Sequence, residues 1–355
     1  MATVTKTIGT SSRNYSTITA WEADLNNAAV YSSGDDAVGE CYKDSTFSEN
    51  VTLRGTVTSL DSATLTVATD NKHTGTSGTG ATLSGYIRVT ESASDALIWS
   101  IKWLEVTGDS DYSGCKIHAS DSLDSTKGPL YIENMLIYNA DITEDGTSGA
   151  GIRIGEMNGH IANCFIYDIS HTNTSGDNIF GINKLLRGTY YVYNCSVQDI
   201  KKPGGTSAGI QAIGIGDDKY ASTSYLTAKN CLVGSLTGPT TFCLSGLHSG
   251  SDYNQSSDST ASGSNSLSGK SAANQFISTT TGSENLHIIE SSDAIDAGFD
   301  LGTTANTDID NKDRNATAIT WDIGADEWSL RQTAVDKKIN SLGLDSQIAY
   351  LLIED

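Results

Sequence analysis

Short runs in which every second residue is apolar recur along the chain. Four of them align: Leu130-Tyr-Ile-Glu-Asn134-Met-Leu-Ile-Tyr, His160-Ile-Ala-Asn163-Cys-Phe-Ile-Tyr, Tyr191-Val-Tyr-Asn194-Cys-Ser-Val-Gln and Leu226-Thr-Ala-Lys-Asn230-Cys-Leu-Val. A fifth, Ile101-Lys-Trp103-Leu-Glu-Val106, precedes them. Trp103, Asn134, Asn163, Asn194 and Asn230 are spaced by 31, 29, 31 and 36 residues. A fainter set follows each by 12 to 18 residues: Cys115–Ile117, Gly151–Ile154, Gly181–Leu185, Gly209–Ile213 and Phe242–Leu244. Alternation of period two predicts strands, since a helix repeats near 3.6. A period of about 30 residues holding at least two short strands predicts a β-solenoid. One coil cannot bury its own apolar face. Coils stacked about 4.8 Å apart share a core and satisfy each other's backbone hydrogen bonds.

Equivalent residues of such coils form ladders. Asn134, Asn163, Asn194 and Asn230 are expected to stack at one turn, each amide bonding the next. Cys164, Cys195 and Cys231 follow the asparagines directly and should point to the opposite side of the wall, with Met135 in the same column. The plainer reading makes them small apolar interior residues; the other is a thiolate metal site. The six cysteines show no CxxC pair and no zinc spacing. The 36-residue step carries an insertion near Asp217–Tyr225, expected on a loop-bearing face.

The ends read differently. Thr17-Ile-Thr-Ala-Trp21-Glu-Ala-Asp-Leu25 predicts a short amphipathic helix with Ser16 or Thr17 as N-cap, plugging the first coil. Val38–Tyr42 and Asn50–Arg54 are expected to begin the winding. Val335, Ile339 and Leu342, and again Ile348, Leu351 and Leu352, fall at helical spacing. The division is therefore 1–60, cap and first coil; 61–328, parallel β-helix with its closing segment; and 329–355, a helical tail that caps, oligomerises or docks.

The closing segment contains His287-Ile-Ile-Glu-Ser-Ser-Asp-Ala-Ile-Asp-Ala-Gly298, then Asp308-Ile-Asp-Asn-Lys-Asp-Arg314 and Asp322-Ile-Gly-Ala-Asp-Glu327. It resembles the end of pectin-lyase-like right-handed parallel β-helix proteins, including the choice-of-anchor Q type found among bacterial and phage surface proteins. Asp293 stands where those proteins usually carry proline, and Asn311 where they carry glycine. Asparagine tolerates the left-handed conformation nearly as glycine does. The opening block, from Ile8-Gly-Thr through Val38-Gly-Glu-Cys-Tyr42, is similar to the start of β-helix proteins of tailed phages. Within the motif, Asp308, Asp310, Arg314, Asp322 and Glu327 are the residues of interest. Asp308, Asp310, Asp313 and Asp326 offer oxygen ligands suited to calcium. The plainer reading is that they make turn hydrogen bonds and pair with Arg314, closing the last coil.

Composition narrows the functions. The formal net charge of −21 disfavours nucleic acid and anionic membranes as partners. No stretch approaches the roughly 18 apolar residues of a membrane span. The opening residues lack the apolar core of a secretory signal, which leads to the expectation of folding in a host cytoplasm. The resemblance makes sugar chemistry the natural rival to a structural role. Glycosidases need two carboxylates about 5 to 9.5 Å apart. Candidates are Asp109 with Asp111, Glu144 with Asp145, Asp177, and Asp217 with Asp218. The polygalacturonase set fails, because Arg153-Ile154 and Gly159-His160 precede Asp217-Asp218 and no Asn-Thr-Asp is present. Arg153 and Arg187 lie about one coil apart and are expected on one face as a lyase-like pair. Tyr220, Tyr225 and Tyr253 are candidate sugar-stacking rings. The expectation is a non-enzymatic virion protein of a tailed phage (a head decoration, fibre or spike component), homotrimeric and in contact with other virion proteins. It needs no cofactor. The alternative is a tailspike that binds or cleaves a host surface glycan.

Overall fold

The computed structural model describes residues 2–54, 60–90, 97–109, 111–119, 128–143, 148–172, 178–203, 210–218, 224–314 and 320–328. It is a parallel β-helix. Three sheets of eight, seven and eight strands are each parallel throughout, and successive strands of the chain visit the sheets in rotation. Sheet 1 contains Leu130–Glu133, Gly159–Ala162, Gly188–Tyr193 and Ser224–Lys229. Sheet 3 contains Leu136–Ile142, Phe165–His171, Ser196–Lys201 and Leu232–Thr237. Sheet 2 contains Cys115–Ala119, Gly149–Ile154, Ile179–Lys184, Gln211–Asp217 and Thr240–Ser245.

Each aligned segment is therefore two strands, not one. The break is the ladder residue: Trp103, Asn134, Asn163, Asn194 and Asn230 all have φ between 48° and 67°. Asparagine is among the few non-glycine residues that accept this conformation readily. The kink turns the chain from sheet 1 into sheet 3. Inside, like packs on like. Ile101, Ile132, Ile161, Val192 and Ala228 form one column, and Ile87, Ile117, Ile152, Ile182, Ile215 and Leu244 another.

The winding begins earlier than Val38. Thr3–Ile8 is the outermost strand of sheet 1 and pairs in register with Asp36–Cys41. The helix Ile18–Asp24 is an excursion between these two rungs. Thr17 caps it by accepting from Ala20 N, and Glu49 accepts from the free amides of Ile18 and Thr19. Trp21 and Leu25 are fully buried, and the Trp21 indole donates to the Tyr31 hydroxyl.

The other end is closed by side chains standing in for a missing coil. Asp258 and Thr260 accept from the amides of Cys243 and Leu244 on the last strand of sheet 2. Ser251 and Asn254 accept from Ala228 N and Cys231 N. The segment 285–328 does something else. It runs back over the outer wall of sheet 3, where Ile288, Ala294, Ile309, Ile323 and Ala325 bury Leu136, Phe165 and Leu232. This corrects the expectation that the motif closes the last coil: it is a lateral strap. Two glycines of the motif are required by close approach. A Cβ on Gly298 would lie 2.7 Å from Trp321 O, and Gly324 has φ 109° with Ser196 Oγ 2.9 Å from where its Cβ would be. Asn311 takes the left-handed conformation, φ 63°. The tail 329–355 lies outside the described residues. Among the described residues no helix is long and apolar enough to cross a membrane.

Candidate functional site

The outward face of sheet 2 carries the densest chemistry among the proposed carboxylate positions. Arg88, His118, Arg153 and Asn183 occupy one register column on neighbouring strands. Tyr112 lies against it, its ring 5.3 Å from His118 and 4.2 Å beneath the Arg88 guanidinium. Burial, with the Arg153 and Arg88 charges, pushes His118 down to about 4, so the imidazole is neutral at pH 7. Arg153 donates to the carbonyls of Ser113 and Ser148. A cleft of about 540 Å³ opens beside this column, lined by Asp109, Asp111, Tyr112, Ser113 and Thr143.

Both acids of this cleft accept from backbone amides, Asp109 from Asp141 N on the next coil at 3.3 Å and Asp111 from Gly114 N within its own turn at 3.1 Å. Asp217 and Asp218 stand three rungs away, at the end of and just after the strand Gln211–Asp217, whereas Asp109 and Asp111 precede the strand Cys115–Ala119. The two pairs are not brought together. Asp217 is buried; Asp218 accepts from Asn183 at 3.2 Å, and burial raises its carboxyl above the usual range. Arg153 and Arg187 do not form a pair either. Arg153 is buried on sheet 2, while Arg187 is exposed at a corner 4.0 Å from Glu156. Glu144, Asp145, Asp177 and Tyr220 lie outside the described residues.

The asparagine ladder faces away from the core and serves the strap. Asn230 Nδ2 donates to Asn194 Oδ1 at 2.9 Å, and Asn194 Nδ2 to Asn163 Oδ1 at 3.1 Å. The same amides reach outward. Asn230 bonds Phe299 O and accepts from Phe299 N, Asn194 bonds Ala305 O, and Asn134 bonds Asp308 O. The strap thus descends the ladder across four coils. Cys164, Cys195 and Cys231 lie on the core side, fully buried. Their thiols donate to the carbonyls two residues back, at 3.2 to 3.5 Å. Burial pushes Cys231 up to about 12 and Cys195 well above the usual thiol range, so both are held as thiols.

The strap's acids clip backbone. Asp308 Oδ1 accepts from Asp310 N and Lys312 N, and Asp326 from Ile288 N. Asp322 accepts from Asp296 N and Trp328 N. Arg314, almost wholly buried, pairs with Glu327 at 2.8 Å and donates to Gly324 O. Despite burial, His287 at 3.1 Å and Lys312 at 3.0 Å hold Asp310 down at about 2. Among the described residues two groups could hold a metal: His287, Asp310 and Asp326; and Asp168, Asp199 and Glu284. The second was not singled out from sequence, although a signal exists. Gly108, Asn139, Asp168, Asp199 and Ser235 each follow the ladder residue by five positions, and each has positive φ.

The outward face of sheet 1 is bare and aromatic. Tyr131 and His160 lie 4.7 Å apart, and Tyr191 stacks on Tyr193 at 5.6 Å. Tyr225 is 45% exposed; Tyr253 instead packs against Phe299 at 5.2 Å. Glu133 bridges Lys102 at 2.7 Å and His160 at 2.6 Å, and these partners outweigh burial to hold it down at about 2. No family model, no curated protein and no solved structure matches this chain.

Proposed function

We propose that the chain is a structural, non-enzymatic component of a tailed-phage virion surface, a head decoration, fibre or spike part, working as a braced rod in a homotrimer. The observation that carries this reading is the strap. Its backbone is hydrogen-bonded to Asn230, Asn194 and Asn134 on coils of one stack, and its apolar residues cover Leu136, Phe165 and Leu232 on the outer wall of sheet 3. Such bracing resists unstacking, which a load-bearing particle surface requires. The resemblance of the closing and opening blocks to phage β-helix proteins points the same way. The bare wall of sheet 1, with Ile98, Tyr191 and Tyr225 exposed, supplies a flat surface for neighbouring subunits or other virion proteins.

Sedimentation of the full chain tests it: a stable trimer is expected, and a monodisperse monomer at high concentration overturns the reading. The rival reading, a tailspike acting on a host glycan, is favoured by the cleft at Asp109, Asp111 and Tyr112. It requires release of oligosaccharide from surface polysaccharide, lost on Asp111→Asn.

A further inference from the structure

Asp168 and Asp199 sit one coil apart on sheet 3, at the left-handed position that interrupts each strand, with φ of 52° and 55°. Glu284 comes to them from the strap, just before the strand Asn285–Ile288. One carboxylate oxygen from each of the three lies within 4.8 Å of the others. We propose that these three acids form a calcium site that fastens to the coils the antiparallel hairpin Phe276–Ser278 with Asn285–Ile288, which leads into the strap, distinct from the closing-motif acids.

Three features support it. The first is the charge balance. Lys201 is the cation in ion-pair contact, 2.7 Å from Asp168 and 2.8 Å from Asp199, and it leaves three carboxylates short of two positive charges. A divalent ion supplies both while Lys201 stays in place. The second is Glu284 itself. It is only 8% exposed, and its Oε1 is buried with no hydrogen-bond partner among the described residues. A buried acceptor left without a donor is destabilising, more so when charged, so the side chain is poised for a ligand. Burial, then the charges of Asp168 and Asp199, raise its carboxyl above the usual range. The third is donor chemistry. All three groups are hard oxygen donors, and the Thr281 hydroxyl, from the same hairpin, donates to Asp199 Oδ2 at 2.7 Å. Calcium accepts such irregular oxygen sets at about 2.3–2.6 Å, whereas magnesium demands a near-ideal octahedron and keeps much of its water. With no nitrogen or sulfur in the set, zinc and copper are disfavoured.

The experiment uses the full chain stripped with EDTA. Calcium chloride is titrated by calorimetry, and the unfolding temperature is followed with and without calcium. Terbium, excited through tyrosine, reports the same site, since Tyr167 lies close enough to feel the Glu284 and Asp168 charges. One-to-one calcium binding and a calcium-dependent rise in unfolding temperature are expected. Glu284→Gln should weaken calcium binding at least tenfold and abolish that rise. In EDTA it should unfold no earlier than the parent, because it removes a like-charge contact; this separates lost binding from lost folding. Asp199→Asn should act in the same direction. Calcium binding that survives Glu284→Gln, or that disappears only with Asp310→Asn, overturns the proposal. So does a parent chain that shows neither heat nor thermal shift.

Discussion

Sheet 1 and sheet 3 are walls of the same coils, yet among the described residues the strap covers sheet 3 and leaves aromatic rings exposed on sheet 1. On sheet 1 the outward column reads Ser100, Tyr131, His160, Tyr191, Thr227, polar and aromatic, with Tyr131, His160 and Tyr191 partly exposed and Ser100 and Thr227 buried. On sheet 3 it reads Glu105, Leu136, Phe165, Ser196, Leu232, buried throughout. The difference shows that the coil repeat specifies the interior, while the outward residues decide what each wall meets. Where outward residues are apolar, the chain itself supplies the cover. Where they are polar, the wall remains for other molecules.

The contrast is broken most severely at its centre. Phe165→Ala should cost about 3–5 kcal/mol, because the ring is fully buried between coil and strap. Tyr191→Ala, 39% exposed on the other wall, should cost about 1 kcal/mol or less. Urea unfolding of both variants gives the comparison; equal losses would mean that the strap is not a true second core.

A second, smaller effect follows from pH. Burial, then the Asp310 charge, pushes Asp308 up to about 7, and its Oδ2 has no hydrogen-bond partner. The folded state therefore keeps a proton that the unfolded chain gives up near pH 4. That contribution is full below pH 4 and is lost as pH climbs through 7, at about 1.4 kcal/mol per unit of displacement. Glu133 on the bare wall works in the opposite sense. Its carboxyl is depressed, so its contribution is present above pH 4 and is lost as pH falls through 2. Asp322 and Glu327, raised by burial to about 6 and about 8, titrate in the same window, so unfolding temperatures between pH 5 and 8 should decline in the parent and decline less steeply in Asp308→Asn. A parent profile with no decline would remove Asp308 as its source.

The smallest effect has the opposite sign. Gln198 is fully buried under the strap, with neither end of its amide hydrogen-bonded. Gln198→Met keeps the shape and removes the unmet polar atoms, and should raise stability by about 1 kcal/mol. A loss in the urea midpoint would instead reveal an ordered water satisfying the amide.

The repeat was legible because Asn134, Asn163, Asn194 and Asn230 must meet two demands at once, a left-handed backbone and a side-chain ladder. Few residues satisfy both, so the position repeats visibly. The number of strands per coil was hidden, because alternation resumes on both sides of the kink and reads as one run. The strap's destination was written less plainly, in Met135-Leu136-Ile137, Cys164-Phe165-Ile166 and Cys231-Leu232-Val233. Three apolar residues in succession mean that both faces of the wall are covered, but they do not say by what. The strand Thr3–Ile8 carries alternation that went unread beside the stronger signal of the helix. The acids were the hardest to place. Asp109, Asp217 and Asp308 look alike in sequence, and only the fold distinguishes a cleft rim, a strand end and a backbone clip. The Asp168, Asp199 and Glu284 group depends on a contact between residues more than 80 positions apart, which no local pattern encodes.

The strap also sets an order of events during synthesis. Leu136 and Phe165 leave the ribosome well before Leu286, Ile288 and Ile309, which cover them. At 5–20 residues per second, that interval is on the order of ten seconds. Throughout it the nascent solenoid presents a greasy flank to its surroundings. Chains growing side by side would meet each other through that flank first, so prompt arrival of the strap limits clumping.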